Sequence, residues 1–216
     1  MSDFQNLLSE SMLFSEGLAM AIALLSYNRV KGQYWKFFVF YLIFIFLCEV
    51  FGKWGGNFIS FDKSKYYNYF VIPVQFLFLY WLYAVKSLDK KKLFFILSSI
   101  YLLSFIPNEL FFEKRKIIFS FNYTFGSFLL MILVIMEYYK QINSANILHF
   151  KKNRMFYINL GVTLFYIGTL PFWTFYFLLL EHMEIWNIYF NYFLISGIIM
   201  YLLFSISFIW GKQSYS

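Results

Sequence analysis

The sequence predicts an all-α membrane protein: one domain over residues 1–216, built as a bundle of seven transmembrane helices. Three observations lead there. Of 216 residues, 61% are hydrophobic and 13% charged, against about 25% charge in ordinary soluble domains. The mean hydropathy is +0.62. Apolar blocks recur that reach the roughly 17–25 residues a helix needs to cross a hydrocarbon core of about 30 Å. Each block must be helical, because its backbone groups find no water to bond.

The expected spans are 11–27, 34–52, 66–85, 93–106, 117–138, 155–180 and 185–210. The first follows the acidic segment MSDFQNLLSE, in which the basic stretch, apolar core and cleavage site of a secretory signal do not occur in order. Within it Ser15, Ala19 and Ala23 recur at four-residue spacing, a stripe that lets helices approach closely. It serves either a seam inside the chain or a homo-oligomer interface. Glu16 is expected about one turn into this span.

The second span holds FFVFYLIFIFLC and then Glu49, where water should be scarce. Lys53 stands four residues later, the favourable order for a helical Glu–Lys pair. A proton-linked role for Glu49 or Glu16 is the functional alternative. The third span carries Asn68, Pro73 and Gln75. The fourth is the shortest, cut by Pro107-Asn108-Glu109, and reads as a short or re-entrant crossing. The fifth has Asn122 near its start. The sixth has Asn159 early and Thr169 and Pro171 late. In the last, Asn187 and Asn191 share one helix face.

Orientation follows from the connectors. Twelve Lys/Arg residues fall on one side and six on the other, and the richer side is expected in the cytoplasm. This puts the N-terminus outside and the C-terminus inside. The richer connectors include Lys90, Lys91 and Lys92, and Lys151, Lys152 and Arg154, an available surface for a protein partner or for anionic lipid. The poorer set includes Lys114, Arg115 and Lys116; Lys212 belongs to the richer.

With that orientation, Glu16, Glu49, Asn68, Gln75, Asn122, Thr169, Asn187 and Asn191 form an expected polar cluster toward the outer half. Polar groups in a membrane are costly and face a bundle interior or a watery cavity. The cluster therefore lines an outward vestibule or locks the bundle by internal bonding. The 32 Phe, 19 Tyr and 6 Trp serve packing and the lipid face, with Tyr66, Tyr67, Trp186 and Trp210 placed as interfacial anchors.

Chemistry-bearing patterns are sparse. His149 and His182 fall on opposite sides and belong to no metal-binding spacing. Asp3, Asp62 and Asp89 all lie outside the expected spans. Cys48 has no intramembrane histidine to activate it. No phosphate loop occurs, and the last span has no lysine for a Schiff base. The expectation is no catalytic residue, no cofactor and no metal. The charge of +7 is spread over short connectors, so no nucleic-acid partner is expected.

The stretches "EVFG", "YYNYFVIPVQF" and "FYINLGVTLFYIGTLPFW" resemble a group of small seven-span bacterial membrane proteins of unknown function, over most of the chain from about Phe38. In that group a glutamate often stands at the position of Gln75 and an asparagine at that of Thr169. The resemblance implies a seven-helix bundle in the bacterial inner membrane, associating with signalling or regulatory partners. The expected function is a non-enzymatic sensory or regulatory module acting through a separately encoded membrane or cytoplasmic partner. The alternative is an oligomeric pore or small transporter, for example a membrane effector of a bacterial defence system.

Overall fold

A computed structural model describes residues 2–111, 120–144 and 147–211. Six helices are long and apolar enough to cross a membrane: α1 (Asp3–Leu25), α2 (Lys36–Asn57) and α3 (Lys63–Ser87), and then, beyond two shorter helices α4 (Lys91–Leu103) and α5 (Phe105–Phe111), α6 (Phe121–Ile142), α7 (Arg154–Thr174) and α8 (Met183–Trp210). No strand occurs among the described residues.

The first helix starts well before the apolar run. Ser2 Oγ accepts from the Gln5 amide at 3.2 Å while Gln5 Oε1 accepts from the Ser2 amide at 3.1 Å, a reciprocal cap that satisfies two orphan donors. Gln5 also donates from Nε2 to Asn187 Oδ1 on α8 at 2.9 Å. The polar N-terminal segment is thus the first two turns of α1. Glu16 then sits 13 residues, about 20 Å, into the helix. The expected depth of one turn is corrected accordingly. Glu49 is likewise eight residues from the end of α2 rather than three.

The fourth segment is two helices with a break at Ser104, whose hydroxyl donates to the Tyr101 carbonyl at 2.6 Å. Their path nevertheless follows the bundle from end to end. α4 begins just beyond Ser87, and α5 carries Glu109, which accepts from Tyr69 in the second turn of α3. Lys114, Arg115, Lys116, Lys212 and the expected start of the fifth span at 117–119 lie outside the described residues.

Prolines shape two of the long helices. Pro73 and Pro171 each follow a widened turn with i→i+5 bonding, Tyr67–Val71 in α3 and Thr163–Ile167 in α7. A proline removes one amide donor, and inside a bundle the freed carbonyls are accommodated by such local rewinding. In α7 the Gly168 amide reaches the Thr163 carbonyl at 2.9 Å. The expected sixth span ends early, at Thr174, and a separate turn, Tyr176–Leu180, follows. A third wide turn, Trp81–Ser87, finishes α3, and Asp89 takes the left-handed conformation (φ 53°) that stops it.

α1 lies between α8 and α2, and α8 also packs on α7. Ser15, Ala19 and Ala23 are all buried along this contact face. The backbones of α7 and α8 approach closely, so that a Cβ on Gly161 would stand 3.3 Å from the Met200 Cα and carbonyl oxygen. Aromatic rings fill the interior. Tyr41 stacks on Phe78 at 4.1 Å, and Phe38 meets Phe204 and Phe208 at 5.2 and 5.8 Å. Phe76 is ringed by Tyr101, Tyr123 and Tyr166 at 5.2–5.6 Å. Offset and edge-on pairs of this kind each add about 0.5–1.5 kcal/mol beyond their burial.

Candidate functional site

A cavity of about 430 Å³ lies among α1, α2, α3, α6, α7 and α8. Its polar lining comprises Ser9, Glu16, Glu49, Lys53, Lys63, Gln75 and the tyrosines Tyr67, Tyr123, Tyr166 and Tyr201. Its apolar wall includes Met12, Ile72, Phe165, Phe190 and Phe193. Lys53 and Lys63 mark the end of the bundle where α2 finishes and α3 begins.

Each carboxylate is held by a tyrosine from another helix. Tyr201 of α8 donates to Glu16 Oε1 at 3.0 Å, and Tyr67 of α3 donates to Glu49 Oε2 at 2.8 Å. These bonds offset part of the cost of withdrawing a carboxylate from water. Deeper along α3, Gln75 Oε1 accepts from Tyr166 at 3.4 Å. The wide turn in α3 carries Tyr67 and that in α7 carries Phe165 and Tyr166, so the two proline sites deliver much of the wall.

Lys53 does not pair with Glu49. Its Nζ lies 2.5 Å from Glu10 Oε1 on α1, one residue before the expected start of the first span. The expected i,i+4 pair is corrected to an interhelical one. Lys63 stands 6.0 Å from the Tyr67 ring centroid.

Of the eight polar residues expected to cluster, Glu16, Glu49 and Gln75 meet on the cavity. Four of the others bond elsewhere. Asn68 donates to the Ser64 carbonyl within its own helix at 2.8 Å, and Thr169 donates to the Phe165 carbonyl at 2.5 Å. Asn122 donates to Ser104 at 3.0 Å, tying α6 to the break between α4 and α5. Asn187 takes the Gln5 bond already described. The buried Oδ1 of Asn191 finds no hydrogen-bond partner among the described residues. Of the eight, three thus line the cavity, Asn122 and Asn187 bond across helices, and Asn68 and Thr169 bond within their own.

Two features lie outside the expected set. Glu137 is buried, accepting from Ser87 Oγ at 2.5 Å and Gln141 Nε2 at 2.8 Å, while Lys140 donates to the Ser87 carbonyl at 2.7 Å. This knot fastens the end of α3 to α6; its signal in the sequence was a glutamate one turn before the close of an apolar run. Arg154 is the second. Lys90, Lys91, Lys92, Lys151 and Lys152 are exposed, but Arg154 is 4% exposed. It donates to the carbonyls of Ser207 and Gly211 at 3.1 and 2.9 Å and packs over Trp35 and Phe208. Its expected place on the basic contact surface is corrected: a planar guanidinium suits the end of α8, where cations meet the negative pole of the helix dipole.

Tyr67 is also reassigned, from interfacial anchor to cavity ligand of Glu49. No three His, Cys, Asp or Glu side chains come together among the described residues. Comparison of the chain with protein-family models, with curated proteins and with solved structures finds no match.

Proposed function

We propose that this protein is a non-enzymatic seven-span sensor of the bacterial inner membrane, which admits a small ligand to the cavity and reports its occupancy to a separately encoded partner. The carrying observation is the cavity itself, a mostly apolar hollow with a few convergent polar groups. Its volume of about 430 Å³ falls in the roughly 300–1,000 Å³ range of ligand sites. On this reading α4 and α5 together make the seventh crossing. The N-terminus is outside, so the cavity mouth at Lys53 and Lys63 faces out. The exposed Lys90, Lys91, Lys92, Lys151 and Lys152 then face the cytoplasm and are the docking surface for the partner. The test is to isolate the protein with its membrane neighbours, identify a stoichiometric partner, and fill the cavity with Ile72→Trp. A partner whose activity is indifferent to that block overturns the reading.

A second reading, transport, is favoured by one observation. Widened, proline-associated turns on both α3 and α7 border the cavity, as expected of helices that rewind during alternating access. Ion or solute flux in liposomes containing the pure protein separates it from sensing. A pore assembled through the Ser15–Ala19–Ala23 stripe is disfavoured, because α1 buries that stripe inside the chain.

A further inference from the structure

The chemistry of the cavity wall deepens the ligand-site reading on which it rests. Each carboxylate is half satisfied. Glu16 accepts through Oε1 and Glu49 through Oε2; the second oxygen of each accepts no hydrogen bond from the described residues. Lys63 lines the same cavity and its charge reaches Glu49 through space, but neither it nor Lys53 forms an ion pair with Glu16 or Glu49. Lys53 is committed to Glu10 at 2.5 Å. The Tyr123 hydroxyl, on a side chain only 4% exposed, lines the same cavity near Thr169 and makes no hydrogen bond of good geometry among the described residues.

Much of the remaining wall is aromatic, beside Met12, Ile72 and Met200. Tyr123 and Tyr166 stack at 6.1 Å, and Phe165 and Phe193 meet at 5.2 Å. Aromatic faces attract a cation within about 6 Å of the ring centroid, most strongly where water is excluded. An uncharged guest would leave the second oxygens of Glu16 and Glu49 unpaired, and an anion would meet two carboxylates, with only Lys53 and Lys63 on the lining to offset them. A bare metal ion is a poor fit to a hollow of about 430 Å³ with an apolar wall and only two carboxylates. We propose that the cavity binds an organic cation, an amine or quaternary ammonium with an apolar body, its charge between Glu16 and Glu49 and its body against Tyr123, Tyr166, Phe165 and Phe193.

The test uses the full chain in phosphatidylcholine nanodiscs and three probes of similar size: benzyltrimethylammonium, its uncharged isostere neopentylbenzene, and the anion benzylphosphonate. The expected result is saturable binding of the cation by calorimetry with a matching rise in Tm. Glu16→Gln and Glu49→Gln should each weaken it by about tenfold or more, since each removes a charged acceptor. Both substitutions keep an oxygen for the tyrosine hydroxyl, and Glu49, being half-buried, provides the variant safest for folding. Glu184→Gln, at an exposed acid outside the cavity lining, should leave binding unchanged. Preference for the isostere or the anion overturns the cation assignment and leaves the ligand cavity standing. No saturable binding by any probe overturns both.

Discussion

Tyr201 and Glu16 are separated by 185 residues in the chain and by 3.0 Å in the fold, joined by a buried hydrogen bond from α8 to α1. The pair couples the longest helix to the one that carries the small-residue stripe. Tyr201→Phe leaves the ring packing in place and removes only the donor. It should cost about 1–3 kcal/mol, the usual penalty for unpairing a buried acceptor, and lower the unfolding temperature in detergent. Tyr192→Phe is the control: that hydroxyl bonds the Leu164 carbonyl from an exposed position, so its loss should register much less. Equal losses would count against the buried pair.

Gly52 and Tyr67 make a second prediction. A Cβ at Gly52 would fall 2.2 Å from the Tyr67 hydroxyl, so Gly52→Ala must push the ring away from Glu49. The effects of Gly52→Ala and Tyr67→Phe on stability should therefore overlap, the double variant losing clearly less than the sum. Groups in contact depart from additivity by about 0.5–3 kcal/mol; simple addition in thermal unfolding would refute the steric link.

Arg154 and its lysine neighbours should separate in any mutational scan. Arg154→Ala takes a donor from each of the Ser207 and Gly211 carbonyls, the first keeping only its bond from the Gly211 amide, and empties the space between Trp35 and Phe208, a loss of about 2 kcal/mol. Arg154→Lys should recover only part of it, lacking the fork. Lys151→Ala and Lys152→Ala, both exposed, should stay within about 0.5 kcal/mol. Thermal unfolding of the four variants decides the matter.

The Lys53–Glu10 pair, with side chains 33% and 65% exposed, should matter little to stability. Exchanging the two charges should change it by under about 1 kcal/mol, and less as salt is added. A large loss in unfolding experiments would mean that Lys53 supports Glu49 after all.

Topology can be read chemically. In a Cys48→Ser background, Ile59→Cys and Leu110→Cys should react in whole cells with a maleimide that cannot cross the membrane, and Lys90→Cys should not. Reaction of Leu110→Cys only after the cells are opened would show that α4 and α5 turn back without crossing.

The sequence made the long helices legible because an apolar run must be buried and, in lipid, must coil. It did not locate their ends. α1 begins at Asp3 through the Ser2–Gln5 cap and the Gln5–Asn187 bond, and only the first of these has a local signature. Partner choice was less legible still. Lys53 had one acidic neighbour four residues away and took another 43 residues away, a choice made by how α1 and α2 face each other. Glu16, Glu49 and Gln75 could be singled out as costly polar groups. That Asn68 and Thr169 would instead bond within their own helices depended on rotamers. Tyrosine was the residue most easily misread. A phenol suits a membrane interface and a buried hydrogen bond equally well, and Tyr67 took the second role.

The small-residue face of α1 closes on α8, and this sets the timing of assembly. At roughly 5–20 residues per second, the 185 residues between Glu16 and Tyr201 take about 10–40 s to synthesise. For that interval the first helix waits in the bilayer with its carboxylate unclaimed and its smooth face open. Any helper that shields a nascent span, or any neighbouring helix that mimics α8, has that window in which to act.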